Sequence, residues 1–389
     1  MKAVFEVRPE LCAVRRARQA MPLGPRDLLH AGPPLADPSG PCEPLLNAAT
    51  AAILFEGWAD TPEQARAMVR ERDVVLRPAQ DLGCVVPLAD VLSPSMWVQV
   101  VADGGGRAPP ACSPLNGGGA HPQRVGVFDE AVLAHLRWLD GHCGPALAAA
   151  LHAPVPLIDL ADQGLAGGDD CHGRTAVATA ALAARLAGSP GGGASDVLSG
   201  YLQRSPGFFL NLWMAAARCM LASAAGTADP QWADLVVAAG GNGQAFGIQV
   251  AGRPGRWFSA PATVPEMPGA DAATAGRGLG AIGDSAIVDL LGFGAMTHLR
   301  AGPPPPPEVR QAWAARPDGP GSLLECEHPA FVQTGPRLLV RASRVAGAPA
   351  TPLVSLGVLD REGRRGRLAG GFFPTPAAVF AGALAAGAR

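Results

Sequence analysis

The chain has one lysine, Lys2, and one tyrosine, Tyr201, in 389 residues. The lack of lysine removes two chemistries. A phosphate-cradling loop of the Gly-Lys-Ser/Thr type needs an internal lysine, and Schiff-base catalysis needs a buried one. Any bound anion must then be met by arginine, histidine, backbone N–H groups or a helix N-terminus. Charge is also sparse: Asp, Glu, Lys and Arg make up 16% of the residues, and the formal net charge is −2. The arginines are scattered and form no basic stripe, so nucleic acid is not an expected partner. The richness in alanine, glycine and proline reads as the mark of a GC-rich genome, not of a mechanism.

Paired cysteines are missing too. Cys12, Cys42, Cys84, Cys112, Cys143, Cys171, Cys219 and Cys326 never form Cys-x-x-Cys, so no zinc ribbon or dithiol motif is written, and buried free thiols are expected. Glu325-Cys326-Glu327-His328 has residue types that ligate zinc. Ligands in consecutive positions without a second spaced pair rarely close a site, so no metal and no cofactor is expected. Long apolar runs are absent as well. The longest, 208–225, is broken by Asn211 and Arg218 and reads as a buried helix. The first residues carry Lys2, Glu6, Arg8, Glu10, Arg15 and Arg16, which leaves no apolar core for a signal peptide; a cytoplasmic protein without a membrane partner is expected.

What is present is a chain that can bury a core. It is 48% apolar, and its length exceeds the ~250–300 residues at which single cores stop growing, so two or three structural units are expected. Residues 1–38 read as a short strand at 3–7 and a proline-rich connection. A small helical subdomain over 39–92 contains an apolar helix at 45–58 and a second helix to about Arg72, opened by the capping box Thr61-Pro62-Glu63-Gln64. An α+β lobe over 93–230 has strands at 97–102 and 154–160. It also has a helix capped by Asp129 and very apolar helices at 174–187 and 209–224, separated by a glycine-rich stretch at 188–193. A second α+β lobe over 231–389 has a strand at 235–239, a hairpin of 246–251 with 256–260, and a helix at 285–296. A proline run at 303–307 follows as a connection, then strands at 338–342 and 353–359 and a last helix from Pro374 or Pro376. No internal repeat is found, and the class is α+β.

Three constellations could carry chemistry. Gly167-Gly168-Asp169-Asp170-Cys171-His172-Gly173-Arg174 puts acid, imidazole and guanidinium at the start of an apolar helix. There His172, Arg174 and the helix N-terminus could hold an anion while Asp169 or Asp170 orients or accepts a proton; simple capping by aspartate is the alternative. Gly240-Gly241-Asn242-Gly243-Gln244 follows an apolar strand, and could offer backbone N–H groups and the Asn242 amide to a carboxylate or phosphate, or make an Asn-Gly hairpin turn. Gly283-Asp284-Ser285 could cap a helix or present Ser285 to a ligand; there is no Gly-x-Ser-x-Gly elbow. The glycines from Gly240 to Gly294 mark backbones that turn left-handed or approach something closely.

These residues carry a resemblance. From Leu28 onward the chain resembles the AllG subunit family of oxamate carbamoyltransferase, which includes YlbE- and YahG-like proteins. The ordered matches are Leu28-Leu29-His30-Ala31-Gly32-Pro33-Pro34, Leu54-Phe55-Glu56-Gly57, Ser93-Pro94-Ser95-Met96, Gly168 to Arg174, Phe209-Leu210-Asn211-Leu212, Asn242 to Ile248, Trp257 to Ala262 and Ile282 to Ile287. The resemblance implies an α+β fold with a small helical domain, and transfer of a carbamoyl group between carbamoyl phosphate and a small amide or carboxylate such as oxamate. It also implies a homo-oligomer or partner subunits. Under it, His172, Asp169 and Arg174 would be catalytic, and Asn242, Gly243, Asp284, Ser285 and Arg256 would bind substrate. The chain departs from the family pattern at Gly173, Thr175, Ala245 and 354–359. A catalytically degenerate ligand-binding or scaffolding subunit of the same fold is the alternative role.

Overall fold

Alternation of buried and exposed side chains normally reveals a strand, and the first strand hides its own. A computed structural model describes residues 2–115, 119–188, 195–297 and 323–387. In it Lys2–Glu6 is a short helix (α1), not the expected strand, and the extended segment is Pro9–Arg16 (β1). The register of β1 shifts between Leu11 and Ala13, so the buried positions run Pro9, Leu11, then Val14. A bulge of this kind breaks the period of two that a sequence reading relies on.

β1 lies in an antiparallel sheet with Trp97–Asp103 (β4), Ala111–Pro114 (β5) and Val155–Pro156 (β6), in the order β5-β4-β1-β6. The apolar run at 154–160 contributes only β6 to this sheet; the chain continues as helix Leu157–Ala166 (α7). Buried Leu157, Leu160, Ala161 and Leu165 recur at helical spacing, which a short apolar run does not distinguish from a buried strand. Asp27–His30 (β2) and Val75–Pro78 (β3) pair in parallel. Their crossover carries the two expected helices, Glu43–Glu56 (α3) and Pro62–Arg70 (α4). The capping box is present: Gln64 N donates to Thr61 Oγ1 at 3.3 Å, and Thr61 N donates to Gln64 Oε1 at 3.2 Å.

A second antiparallel sheet has the order β10-β7-β8-β9, from Val236–Asn242 (β7), Ala245–Val250 (β8), Phe258–Pro261 (β9) and Ile282–Gly283 (β10). The hairpin expected from 246–251 and 256–260 is the β8–β9 pair. The helix expected at 285–296 ends early. Ala286–Leu291 (α12) stops at Gly292, whose φ of 131° is open to few residues but glycine, and whose Cβ would lie 2.4 Å from Arg337 O. Leu353–Leu359 (β13) pairs with Arg367–Pro374 (β14), and Leu324–Glu327 (β11) with Arg337–Val340 (β12); a helix at Ala377–Gly387 closes the described chain. The proline run at 303–307 and most of the glycine-rich stretch at 188–193 lie outside the described residues.

Between the two sheets runs Phe208–Ala222 (α10), which packs on β4, β5 and β7 as well as on Ala176–Ala187 (α8) and α12. Covered over most of its surface, it has no exposed polar face, and this explains a helix too apolar to look amphipathic. Phe208, Phe209, Leu212, Trp213 and Met220 are fully buried; each such side chain contributes about 1.5–3 kcal/mol of burial free energy. Among the described residues, no helix is long and apolar enough to cross a membrane. All eight cysteines are free, with Cys12 exposed and Cys42 and Cys326 half-buried, so the expectation of buried thiols fails for these three.

Candidate active site

The loop between α7 and α8 is folded by two aspartates. Asp169 Oδ2 accepts from Ala178 N at 2.9 Å, capping the first turn of α8 from a buried position. Asp170 Oδ1 accepts from the N–H groups of both His172 and Arg174 at 2.9 Å, and its Oδ2 lies 3.3 Å from Arg174 Nη2. Cys171 between them has φ of 59°, a left-handed conformation that costs a non-glycine residue energy and that tight, over-determined turns sustain. Helix α8 begins at Ala176, two residues after Arg174, so His172 and Arg174 stand on the loop and not on the helix.

Both side chains line a cleft of about 440 Å³. His172 is buried, and its Nδ1 lies 2.5 Å from Asp289 Oδ2. Asp289, on α12, is fully buried and its other oxygen accepts from Ala295 N at 2.7 Å, Ser355 N at 3.1 Å and Ser355 Oγ at 3.2 Å. A carboxylate with that many donors is well satisfied away from water. Gly294 makes the arrangement possible: at φ 57° its backbone passes so close that a Cβ would lie 2.4 Å from Asp289 Oδ1 and 2.8 Å from His172 Cβ. Burial alone would lower the His172 pKa. The charge and hydrogen bond of Asp289, helped by Asp170, outweigh that and hold it above the ordinary imidazole value. With Nδ1 engaged, Nε2 is the nitrogen left for a ligand.

Three guanidinium groups share the cleft, those of Arg124, Arg174 and Arg367. Arg174 Nε donates to Gly168 O at 3.2 Å and Arg367 Nε to Ala369 O at 3.2 Å, which fixes each fork by its stem nitrogen. Burial lowers the Arg124 pKa against the opposing charges of Tyr201 and Asp90, and the charge of Arg367 adds a smaller push in the same direction as burial. Mutual repulsion of this kind is relieved by an anion between the groups. Leu88, another lining residue, has a left-handed φ of 49°.

The glycine-rich segment behaves differently. Asn242 is buried; its Nδ2 donates to Pro33 O at 3.0 Å, and its Oδ1 accepts from Gln244 N at 3.0 Å and Ala245 N at 2.7 Å. With Gly243 at φ 85°, this is the β7–β8 turn. Asp284 accepts from Gly32 N at 2.9 Å, Gln80 Nε2 at 2.7 Å and Val86 N at 3.0 Å, with burial raising its pKa to about 7. The glycines allow close backbone packing: a Cβ on Gly241 would lie 2.2 Å from Ala281 O, and one on Gly283 2.7 Å from Leu88 N. Of the substrate-binding candidates only Ser285 lines the cleft. Arg256 is exposed, with its guanidinium carbon 5.1 Å from the Phe258 ring centre.

Asp289, Ser355, Arg124 and Arg367 escaped the sequence reading. A signal existed for Asp289 alone, a lone carboxylate inside the apolar run Ala286–Leu291, where an acid is tolerated only if paired. Among the described residues no cluster of three or more His, Cys, Asp or Glu could hold a metal. Glu325 instead pairs with Arg344, and His328 packs against Phe5 and Phe331.

A family model described as oxamate carbamoyltransferase subunit AllG matches residues 74–285, a span that includes Arg124, His172, Arg174 and Ser285. The oxamate carbamoyltransferase subunit AllG of Escherichia coli (strain K12) is 31% identical over 385 residues, covering 93% of this chain and 89% of that protein. The uncharacterized protein YahG of the same organism is 27% identical over 326 residues, covering 77% of this chain and 64% of that protein. Among solved structures, a conserved protein of unknown function from Enterococcus faecalis V583 shares the fold, with a TM-score of 0.88 at 24% identity over 100% of this chain and 95% of that one.

Proposed function

The chain belongs to the AllG family, and from that membership we propose that it is a carbamoyltransferase subunit. It moves a carbamoyl group between carbamoyl phosphate and a small amide or carboxylate of the oxamate type, and it works with partner subunits. The observation that carries the reading is the convergence on one cleft of an imidazole hydrogen-bonded to a buried carboxylate and three arginines.

Carbamoyl transfer passes through a carbon that gains negative charge on its oxygen while a phosphate oxygen leaves. Arg124, Arg174 and Arg367 would clamp the phosphate and the carboxylate, since a planar fork matches both oxyanions. His172, whose cationic form Asp289 favours, would donate from Nε2 to the carbamoyl oxygen as charge develops there. Asp289 would act as a positioning residue, fixing ring orientation and tautomer through Nδ1. Asp170 shapes the loop that presents both His172 and Arg174. In this reading Ser285, Asn211 and Ser355 supply neutral polar contacts at the cleft.

The test is phosphate release from carbamoyl phosphate, with oxamate as acceptor, by the purified chain alone and with the AllG-associated subunits. Saturable turnover is expected, falling at least about a hundredfold in His172→Ala and Arg174→Ala. Turnover and substrate affinity both unchanged in the two variants would remove the reading. Binding of carbamoyl phosphate without turnover in any subunit combination would point instead to a non-catalytic ligand-binding subunit.

A further inference from the structure

The β13–β14 hairpin forms one side of the cleft, and its register decides where Arg367 points. Val358 pairs with Ala369 and Leu359 with Arg367, so Leu368 is an extra residue on β14. Counted by twos from Gly370, Arg367 would fall on the far face of the ladder. The bulge at Leu368 turns it onto the face of Gly357, Gly370 and Ser355. Ser355 Oγ lies 3.3 Å from His172 Nδ1, so this is the His172 side. Two glycines opposite one another inside a ladder cost backbone entropy and forgo packing. Neither has a positive φ, and the nearest atoms a Cβ would meet all belong to Arg367. A Cβ on Gly357 would lie 3.0 Å from Nε and 3.1 Å from Cδ, and one on Gly370 3.4 Å from Nη2. The Arg367 side chain therefore lies along the bare backbone of the pair, with Nε donating to Ala369 O at 3.2 Å.

The hairpin is itself anchored. Asp360, fully buried at its turn, accepts from Arg364 N at 3.1 Å and Arg365 N at 3.0 Å and lies 2.9 Å from Arg277 Nη2. Asn47 Nδ2 donates to Gly363 O at 3.1 Å and to Gly126 O at 2.9 Å, which ties the turn to the segment that carries Arg124. Arg174 has Asp170 Oδ2 3.3 Å away, whereas among the described residues Arg367 lies within ion-pair distance of no carboxylate. Its charge reaches the neighbouring imidazole: burial and Arg367 push the His172 pKa down, and Asp289 with Asp170 prevail over them. We infer that Gly357, Gly370 and the Leu368 bulge are positioning residues that hold the Arg367 fork beside His172 to receive an oxyanion of the substrate, a carboxylate or a phosphoryl group. This rests on the carbamoyl-transfer reading for the identity of the ligand, not for the placement of the arginine. An exposed arginine already laid along one path loses less freedom on binding, so the glycine pair strengthens the anion contact.

The experiment is calorimetry with inorganic phosphate and with oxamate, together with NMR titration of the His172 ring, on the full chain. The variants are Gly357→Val, Arg367→Ala and the two combined. Valine suits a strand better than glycine, so Gly357→Val should leave the thermal midpoint equal or higher. Its side chain takes the place of the Arg367 stem and should weaken at least one of the two ligands by about tenfold or more, as Arg367→Ala does. Gly370→Val, under the Nη2 end, should act alike and serves if the first variant folds poorly. The double variant should bind no worse than Arg367→Ala, since both changes act through one guanidinium. Both single variants should also raise the His172 titration midpoint, by moving a positive charge away from the ring. Affinities that Gly357→Val leaves unchanged, a double variant whose losses multiply, or a His172 midpoint that Gly357→Val leaves unmoved overturns the inference. If the parent binds neither ligand while the His172 midpoint rises in both single variants, the placement of Arg367 stands and the carbamoyl-transfer reading falls.

Discussion

Replacing Asp289 by asparagine keeps the volume beside His172 and removes the charge, and two other histidines of the same chain set the scale of the effect. His30 is fully buried, with Nδ1 2.8 Å from Ala31 O, and burial takes its pKa to about 4; His328 falls to about 4 by burial, with Arg8 acting in the same direction. His172 is nearly as buried, yet Asp289 holds it above the ordinary 6.5. The gap between 6.5 and 4, at ~1.4 kcal/mol per pH unit, puts the grip of Asp289 on that proton on the order of 3 kcal/mol or more. That agrees with the ~3–5 kcal/mol lost when one partner of a buried ion pair is removed. In Asp289→Asn the imidazole should titrate below the ordinary value, and in the parent above it, as read by NMR of the His172 ring. The folded state binds this proton more tightly than the unfolded chain does. Its contribution to stability is therefore complete below about pH 6.5 and is lost as pH rises through the folded value. Chemical denaturation of parent and variant across pH should show a stability difference that is largest in acid and shrinks in alkali. A difference that is flat with pH, or a ring titration the substitution leaves unmoved, would refute the argument.

Arg174→Ala and Arg367→Ala should each weaken inorganic phosphate binding by about tenfold or more, the worth of a charge-assisted hydrogen bond; an unchanged calorimetric Kd in both would show that the anion sits elsewhere. Gly294→Ala forces a side chain into left-handed backbone and against Asp289 and His172. It should cost more than about 1 kcal/mol in denaturant unfolding and shift the His172 ring signal. Asn242→Ala removes the acceptor of two backbone N–H groups in the β7–β8 turn. It should lose about 1 kcal/mol or more of stability in denaturant unfolding.

How far the sequence could be read depended on how local the determining interactions were. Thr61-Pro62-Glu63-Gln64 announced α4 because a capping box closes within four residues. Asp129 announced α5 (Glu130–Trp138) in the same way, by accepting from Val132 N. β1 was missed because a bulge shifts its register, and the helix expected at 285–296 was cut short at Gly292, where a positive φ and the close approach of Arg337 O, far along the chain, leave no room for a side chain. The loop at 167–174 was recognised as chemically loaded, and its His172 and Arg174 do face the cleft. Asp169 in the same run is a helix cap, a division of labour that depends on which N–H each carboxylate meets.

By itself the sequence determined the chemical repertoire: with one lysine, anion recognition rests on arginine, and with no paired cysteines the thiols stay single. It also set the helices whose caps are local and the glycines that backbone geometry demands. Tertiary structure decided which of those groups meet. Asp289 and Ser355 reach His172 from 117 and 183 residues away, and Arg124 and Arg367 come to one cleft from distant parts of the sequence. The glycine-rich run turned out to pack backbone on backbone, at Gly32, Leu88 and Ala281. Glycine permits close approach without specifying what approaches, and only the folded chain supplies the partner.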